Sequence, residues 1–287
     1  MKPKIKINFT DFWGGFDKKN NFFTNLLETK YDVTISDDPD YLFYSCFGGD
    51  HLNYDCVRIY YTGENWRSPN FNVCDYALGF DYISLDDRYL RFPLYFLYTD
   101  DYELAKKKHL ISENEIEEKV LFCNFVVSNG SGWSRNHLFD WLSKYKTIDS
   151  GGGFRNNIGY RVEDKLEFQK KYKFSIAGEN GPGDGYTTEK IIQAFAAQTI
   201  PIYWGNPSIY KEFNPNSFIN CHDFDSFEDV VKRVEEIDND KELFSRMLKE
   251  PIYSADVNPE EIGEKQLLNF LSPIFDSQYD LAFKRPR

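Results

Sequence analysis

Lysines and apolar residues alternate with period two from Ile5 to Phe9, the pattern of a half-buried opening strand. The strand breaks at Thr10-Asp11-Phe12-Trp13-Gly14-Gly15-Phe16, a loop of aromatics and glycines. Phe22, Phe23, Leu26 and Leu27 then recur at helical spacing. Short apolar runs at Tyr31–Ile35, Tyr41–Tyr44 and Val57–Tyr61 predict further strands. From Thr99 to Lys119 the chain turns charged, which predicts solvated helices and the crossing between two halves. Val120–Asn129 is almost continuously apolar, as buried parallel strands are, and an amphipathic helix follows through Tyr145. Thr147–Lys165, with two glycine- and asparagine-rich clusters, reads as a mobile loop or as plain linkage. Strand and helix alternate along most of the chain, so the expected class is α/β with parallel sheets.

The most informative stretch is Phe174–Ile209. An apolar strand leads into Glu179-Asn180 and a turn holding Gly181, Pro182, Gly183 and Gly185. Tyr186-Thr187-Thr188-Glu189-Lys190 opens a helix with Ile191, Ile192, Phe195 and Ala196 on its apolar face, and a second strand, Ile200–Tyr203, closes the unit. In such βαβ units the loop lies at the carboxyl edge of a parallel sheet, where ligands bind, and helix N-termini attract phosphate. The loop is neither a Walker sequence nor GxGxxG at a strand end. Downstream, Ser217–Asn220 reads as a strand, Ser226–Ile237 as a capped helix, and Glu260–Phe275 as an amphipathic helix able to pack back on the first half.

A chain of 287 residues with 41% hydrophobic and 18% aromatic content has enough apolar material for one large or two ordinary cores. Its net charge of −12 argues against a nucleic-acid partner, since no basic stripe can neutralise phosphates. An anionic ligand therefore needs a local positive pocket. The five cysteines are odd in number and show no CxxC spacing, which suits free thiols in a reducing compartment. No run approaches the ~18 apolar residues of a membrane span, and MKPKIKINF lacks a signal-peptide core.

Two stretches resemble the α-1,3/4-fucosyltransferase family, bacterial type, which moves L-fucose from GDP-fucose to N-acetylglucosamine. One is the central stretch, through Glu179-Asn180, Tyr186, Thr188-Glu189-Lys190 and Ile200-Pro201-Ile202-Tyr203-Trp204-Gly205. The other runs from Ile59 to Leu94, through Tyr61-Thr62-Gly63-Glu64-Asn65, Pro69-Asn70-Phe71-Asn72 and Asp87-Arg88-Tyr89-Leu90-Arg91. Two positions depart: Gly178 stands where relatives have Phe, and Gly181 where they have Ser. The resemblance implies a GT-B architecture, two Rossmann-like domains facing across a cleft. Residues 1–115 would bind acceptor, 116–270 would bind GDP-fucose, and 271–287 form a C-terminal segment. It further implies an inverting transfer to the 3-OH or 4-OH of N-acetylglucosamine in a glycan such as N-acetyllactosamine, by a cytoplasmic enzyme at most peripheral to a membrane.

Residue by residue, the resemblance assigns Glu64 as the base that takes the proton of the acceptor hydroxyl. Taken alone, a Glu after a strand is usually a solvated loop residue. Arg135 is expected on the donor diphosphate, Arg by its two-pronged fork and Lys190 as a point cation. Asn180 and Tyr186 are expected to donate hydrogen bonds to phosphate or fucose. Glu189 is expected on the ribose hydroxyls or as a cap on its own helix. Trp13 is a candidate platform for an acceptor sugar, against core or lid as the commoner fate of such an aromatic. Asp11 and Asp81 are expected to tolerate replacement better than Glu64. No cofactor is expected, and manganese at most as a stimulant bound to GDP. The Asp-x-Asp triplets at 38–40, 223–225 and 238–240 are expected by chance in a chain with 46 acidic residues, and His51, His109, His137 and His222 lack metal-ligand grouping. Two other readings stay open: a transferase of this architecture using another GDP-sugar, and a non-catalytic glycan-binding descendant.

Overall fold

A computed structural model describes residues 1–66 and 69–286. It divides into two compact units, residues 1–97 with 258–287, and residues 98–257.

The first unit is built on a six-stranded, wholly parallel sheet in the order β2-β1-β3-β4-β5-β6. Its strands are β1 (Lys4–Thr10), β2 (Asp32–Ile35), β3 (Tyr41–Tyr44), β4 (Val57–Tyr61), β5 (Tyr76–Gly79) and β6 (Tyr89–Arg91). The period-two pattern of β1 has a direct cause: Ile5, Ile7 and Phe9 are buried while Lys4 and Lys6 stay in water. Helix α1 (Phe22–Glu28) follows the first loop, capped by the Asn21 side chain, which accepts from the Thr24 N–H. A C-terminal helix, Glu264–Asp276, covers the same unit. The Phe275 ring meets Tyr31 and Tyr41 edge-on, and the Asp276 carboxylate accepts from Tyr31 Oη at 2.9 Å and Lys30 Nζ at 2.8 Å. Beyond it, Arg285 pairs with the fully buried Asp75, whose carboxylate also accepts from the Arg58, Lys284 and Arg285 N–H groups.

The second unit has a five-stranded parallel sheet in the order β11-β10-β9-β7-β8. These are β7 (Leu121–Phe125), β8 (Ile148–Ser150), β9 (Tyr172–Gly178), β10 (Ile200–Trp204) and β11 (Ile219–Asn220). Its helices in chain order are α2 (Thr99–Lys106), α3 (Glu113–Glu117), α4 (Trp133–Leu142), α5 (Lys165–Gln169), α6 (Glu189–Ala196), α7 (Phe227–Asn239) and α8 (Lys241–Lys249). Strand residues Phe125, Phe174, Ile200 and Ile202 join Leu138, Leu142, Val230, Val234 and Leu248 in one apolar core. Two parallel-sheet α/β units are what the GT-B expectation requires.

Four features differ from the sequence reading. The charged run 99–119 is no linker, so the division falls near residue 97 rather than 115. Tyr102, Ala105, Lys108 and Ile111 are buried within the second unit, Gln193 Nε2 donates to Asp101 at 3.0 Å, and the Tyr102 and Tyr253 hydroxyls meet at 3.1 Å. Residues 258–270, assigned by sequence to the second domain, group with the first. The stretch after Thr147, read as a mobile loop or as plain linkage, is tied by hydrogen bonds. Asn157 donates to Ile148 O and accepts from Ser150 N, and a Cβ on Gly152 would overlap the Val127 carbonyl. Finally, β5, β6, β8 and α8 left no signal in the pattern, three being strands of three or four residues.

Lys108 explains why the charged run folds as it does. Its buried ammonium donates to the carbonyls of Met247 at 2.8 Å, Leu248 at 3.0 Å and Glu250 at 3.3 Å, closing the end of α8. Burial pulls its pKa down to about 7, and that of buried Lys119 to about 8. The unfolded chain holds both protons to about pH 10.4. Above pH 7 the unfolded state thus binds more protons than the folded one, and stability from these groups rises with pH. The urea midpoint should be higher at pH 8.5 than at pH 6.5, and Lys108→Met should shrink that difference. An unchanged difference in Lys108→Met would show that Lys108 does not titrate on unfolding.

Candidate active site

Strand β9 ends at Gly178 because the next two residues, Glu179 and Asn180, turn out of the sheet into the glycine loop. Glu179 is wholly buried, and its Cβ and Cγ occupy the space a Cβ on Gly205 would need. Its carboxylate is the hub of the site. It accepts from the Thr188 N–H at 2.8 Å, Thr188 Oγ1 at 2.6 Å and Lys190 Nζ at 3.1 Å. Thr188 is the N-cap of α6, so this carboxylate sits at the positive end of that helix. Burial pushes the Glu179 carboxyl up, against the pull of Lys190. Burial likewise lowers the Lys190 ammonium, but Glu179 and Glu189 more than reverse this and hold it above its ordinary value. The loop itself is pinned from outside: Asn206 accepts from Gly185 N at 2.8 Å and donates to Thr187 Oγ1 and Glu212 Oε1.

Arg135 lies in the first turn of α4 and is 1% exposed, an unusual place for a guanidinium. It donates to Asn180 Oδ1 at 2.5 Å and to the Asn129 carbonyl, and its buried Nε–H has no partner among the described residues. Burial lowers its pKa, countered by Glu179, Glu189 and Tyr186. Gly178 makes the arrangement possible, since a Cβ there would lie 2.5 Å from Arg135 Cβ. The departure from the family's Phe is therefore filled by the arginine stem rather than left as slack in the loop.

The structure thus brings Arg135, Asn180, Tyr186, Glu189 and Lys190 to one edge of one sheet. Tyr186 is buried and accepts from Tyr203 Oη through its carbonyl at 3.4 Å. Glu189 pairs with Lys190 at 3.3 Å, which holds its carboxyl low despite burial. The helix-end donor expected to meet phosphate behaves differently, because the Thr188 N–H is taken by Glu179. Two residues escaped the sequence reading as site residues. Glu179 was visible only as part of a motif, and Lys165 follows a loop with no periodic signal. Lys165 donates to Gln193 Oε1 at 2.6 Å, and burial pulls its ammonium down to about 8 beside Glu189 and Lys190. Arg135, Lys165 and Lys190 thus stand among the carboxylates of Glu179, Glu189 and Asp101.

In the first unit, Glu64 is exposed at the carboxyl end of β4, three residues past Tyr61. Its backbone is held by Thr62, whose Oγ1 accepts from the Glu64 N–H and donates to the Glu64 carbonyl, both at 3.3 Å. Trp13 is 41% exposed, edge-on to Phe12 and Phe16. Asp11, expected to tolerate replacement better than Glu64, bonds across to the loop after β3. It has left-handed backbone (φ 58°), and its carboxylate accepts from the N–H groups of Asp50 and His51 and from His51 Nδ1. Among the described residues no group of three or more His, Cys, Asp or Glu is placed to hold a metal. Of the Asp-x-Asp triplets, Asp238 is engaged by Lys146 and Lys173, and Asp40 by Lys6.

Comparison with known proteins decides the family. Residues 7–98 match the alpha-(1,3)-fucosyltransferase FucT N-terminal domain, and residues 86–250 match the glycosyltransferase family 10 (fucosyltransferase) C-terminal model. The chain belongs to glycosyltransferase family 10. It is 35% identical to the alpha-(1,3)-fucosyltransferase FucT of Helicobacter pylori over 96% of its own length and 66% of that protein's. It is 29% identical to a putative fucosyltransferase of Acanthamoeba polyphaga mimivirus, over 78% of this chain and 38% of the viral one. The chain thus spans only part of these relatives. A crystal structure of an alpha1,3-fucosyltransferase with GDP-fucose superposes with a TM-score of 0.84 at 31% identity, covering 100% of this chain and 94% of that one. The GDP complex gives 0.82 at 32% identity, covering 99% and 94%. No helix among the described residues is long and apolar enough to cross a membrane.

The fucosyltransferase fold of this chain puts a buried pair at its hub, and that can be tested without substrate. Glu179→Ala removes one partner of the Lys190 pair and orphans the Thr188 donors. It should lower unfolding free energy by about 2–4 kcal/mol. A urea titration showing a loss below about 0.5 kcal/mol, the range of surface substitutions, would remove Glu179 from that role.

Proposed function

We propose that this family 10 protein moves L-fucose from GDP-fucose to the 3-OH or 4-OH of N-acetylglucosamine in a glycan such as N-acetyllactosamine, with inversion at the fucose carbon. The observation that carries the reading is Arg135. A guanidinium that is 1% exposed, whose buried Nε–H has no partner and which has no carboxylate bonded to it among the described residues, calls for an anion. It stands beside Asn180 and Lys190 at the carboxyl edge of β9, in a fold that superposes on an enzyme bound to GDP-fucose. A fucosyltransferase that acts, by its name, on 4-galactosyl-N-acetylglucosaminide is 30% identical over 45% of this chain, in the mouse, which supports the acceptor class.

Chemically, the acceptor hydroxyl attacks the anomeric carbon while the bond to the diphosphate oxygen breaks. Arg135 and Lys190 take up the charge that develops on the leaving GDP. Glu64, an exposed carboxylate on the acceptor-side unit, takes the hydroxyl proton. Glu189 orients the ribose, and Asn180 and Tyr186 hold the phosphate or sugar. Manganese enters only as a stimulant bound to GDP, and we place the enzyme in the cytoplasm, at most peripheral to a membrane.

Incubation with GDP-fucose and a small panel of N-acetylglucosamine glycans, read by mass spectrometry, tests the reaction. A gain of one fucose is expected; transfer only from another GDP-sugar would overturn the donor. Turnover should persist in EDTA, and complete loss restored by manganese would show that the metal is required. Arg135→Ala should weaken GDP binding by about 1.5–3 kcal/mol, as for a charged hydrogen bond, by calorimetry. Glu64→Ala should keep GDP affinity and lose about 10²–10⁴ in rate. Turnover within a few-fold of wild type in Glu64→Ala would move the base elsewhere.

A further inference from the structure

We infer that His51, held by Asp11, contacts a hydroxyl of the acceptor sugar, an inference that rests on the transferase reading above. The two residues form a fixed dyad at the carboxyl edge of the first unit's sheet, where open α/β sheets bind ligands. Asp11 follows β1 and His51 follows β3, adjacent parallel strands in register through Thr10 and Tyr44. The Asp11 carboxylate is almost wholly buried and accepts from His51 Nδ1 at 2.7 Å. In the neutral ring a proton on Nδ1 donates to this carboxylate and leaves Nε2 with a lone pair. That nitrogen has no hydrogen-bond partner among the described residues, while the ring, 13% exposed, is stacked on Tyr44 at 4.0 Å and 15°.

Three observations separate this from a loop brace. The Asp50 and His51 N–H groups, each 3.0 Å from the carboxylate, already tie the loop to Asp11. The further bond to Nδ1 adds nothing to loop closure but fixes tautomer and ring plane. The dyad is also costly: Asp11 sits in left-handed backbone, and Gly48 must lack a side chain because a Cβ would overlap the Asp11 carboxylate. Finally, the dyad shares its edge with the other acceptor-side candidates. Trp13 lies two residues past Asp11, and the hydroxyl of Thr62, which holds the Glu64 backbone, lies 3.9 Å from Cys46 Sγ of the His51 loop. A preorganised acceptor atom facing a sugar hydroxyl suits this place, with His51 as the contact and Asp11 as its positioning residue.

The test uses the whole chain labelled with ¹⁵N-histidine, which has four histidines to resolve. N-acetyllactosamine is titrated in with GDP present, and His51→Gln identifies the His51 signals by their loss. The His51 Nε2 resonance should move while Nδ1 stays; an unmoved Nε2 at saturating glycan overturns the inference. In kinetics, His51→Ala should raise the acceptor KM about tenfold, the worth of one hydrogen bond, with the GDP-fucose KM unchanged. His51→Gln, which keeps a polar atom near the Nε2 position, should recover most of the loss. An acceptor KM within twofold of wild type in His51→Ala, or equal rises in both KM values, overturns it. If the wild type transfers no fucose, the reading above fails by itself, and the Nε2 signal still decides whether His51 meets a glycan.

Discussion

The second unit depends on one buried carboxylate. Glu179 has no water to solvate it, so every oxygen lone pair it directs inward must find a donor, and the chain supplies them from the start of α6. That requirement sets where the helix begins, brings Lys190 over the end of β9, and forces glycine at position 205. Arg135 then settles into the space left at Gly178. Charges that would be unfavourable singly become tolerable as a group, and among the described residues the Arg135 Nε–H keeps a donor without a partner.

The first unit solves a related problem by other means. Its edge carries few charges in mutual contact; its polar groups are braced one at a time, Glu64 by the Thr62 hydroxyl and His51 by Asp11. Preorganisation there comes from backbone geometry and a strained turn rather than from an ion network. An acceptor with neutral hydroxyls asks for aimed hydrogen bonds, and a diphosphate asks for charge, so the two edges differ as their proposed ligands do.

Much of this was legible beforehand, for physical reasons. Strands β1, β3 and β4 show as alternating or apolar runs because water reaches one side or neither. The cluster of Arg135, Asn180, Tyr186, Glu189 and Lys190 was legible because most of it lies within one βαβ unit, where spacing dictates proximity. What lay hidden came from distant pairings. Lys108 looked like part of a solvated run, since nothing local says that three carbonyls 139 to 142 residues later await it. The Asp11–His51 contact lay hidden because the two residues, forty apart, are brought together only by β1 and β3 lying side by side. Three-residue strands such as β8 carry too few positions to show a period at all.

The division of the chain sets an order of assembly. Residues 98–257 form a continuous unit that is complete once that length has left the ribosome. The first unit, though begun earlier, lacks the helix Glu264–Asp276 until the whole second unit has been made. Tyr31 and Tyr41 stay uncovered until Phe275 arrives, and the Asp75 carboxylate stays without its arginine until Arg285 does. The half made first is thus the half finished last, and the nascent chain must shield an open parallel sheet while its neighbour folds.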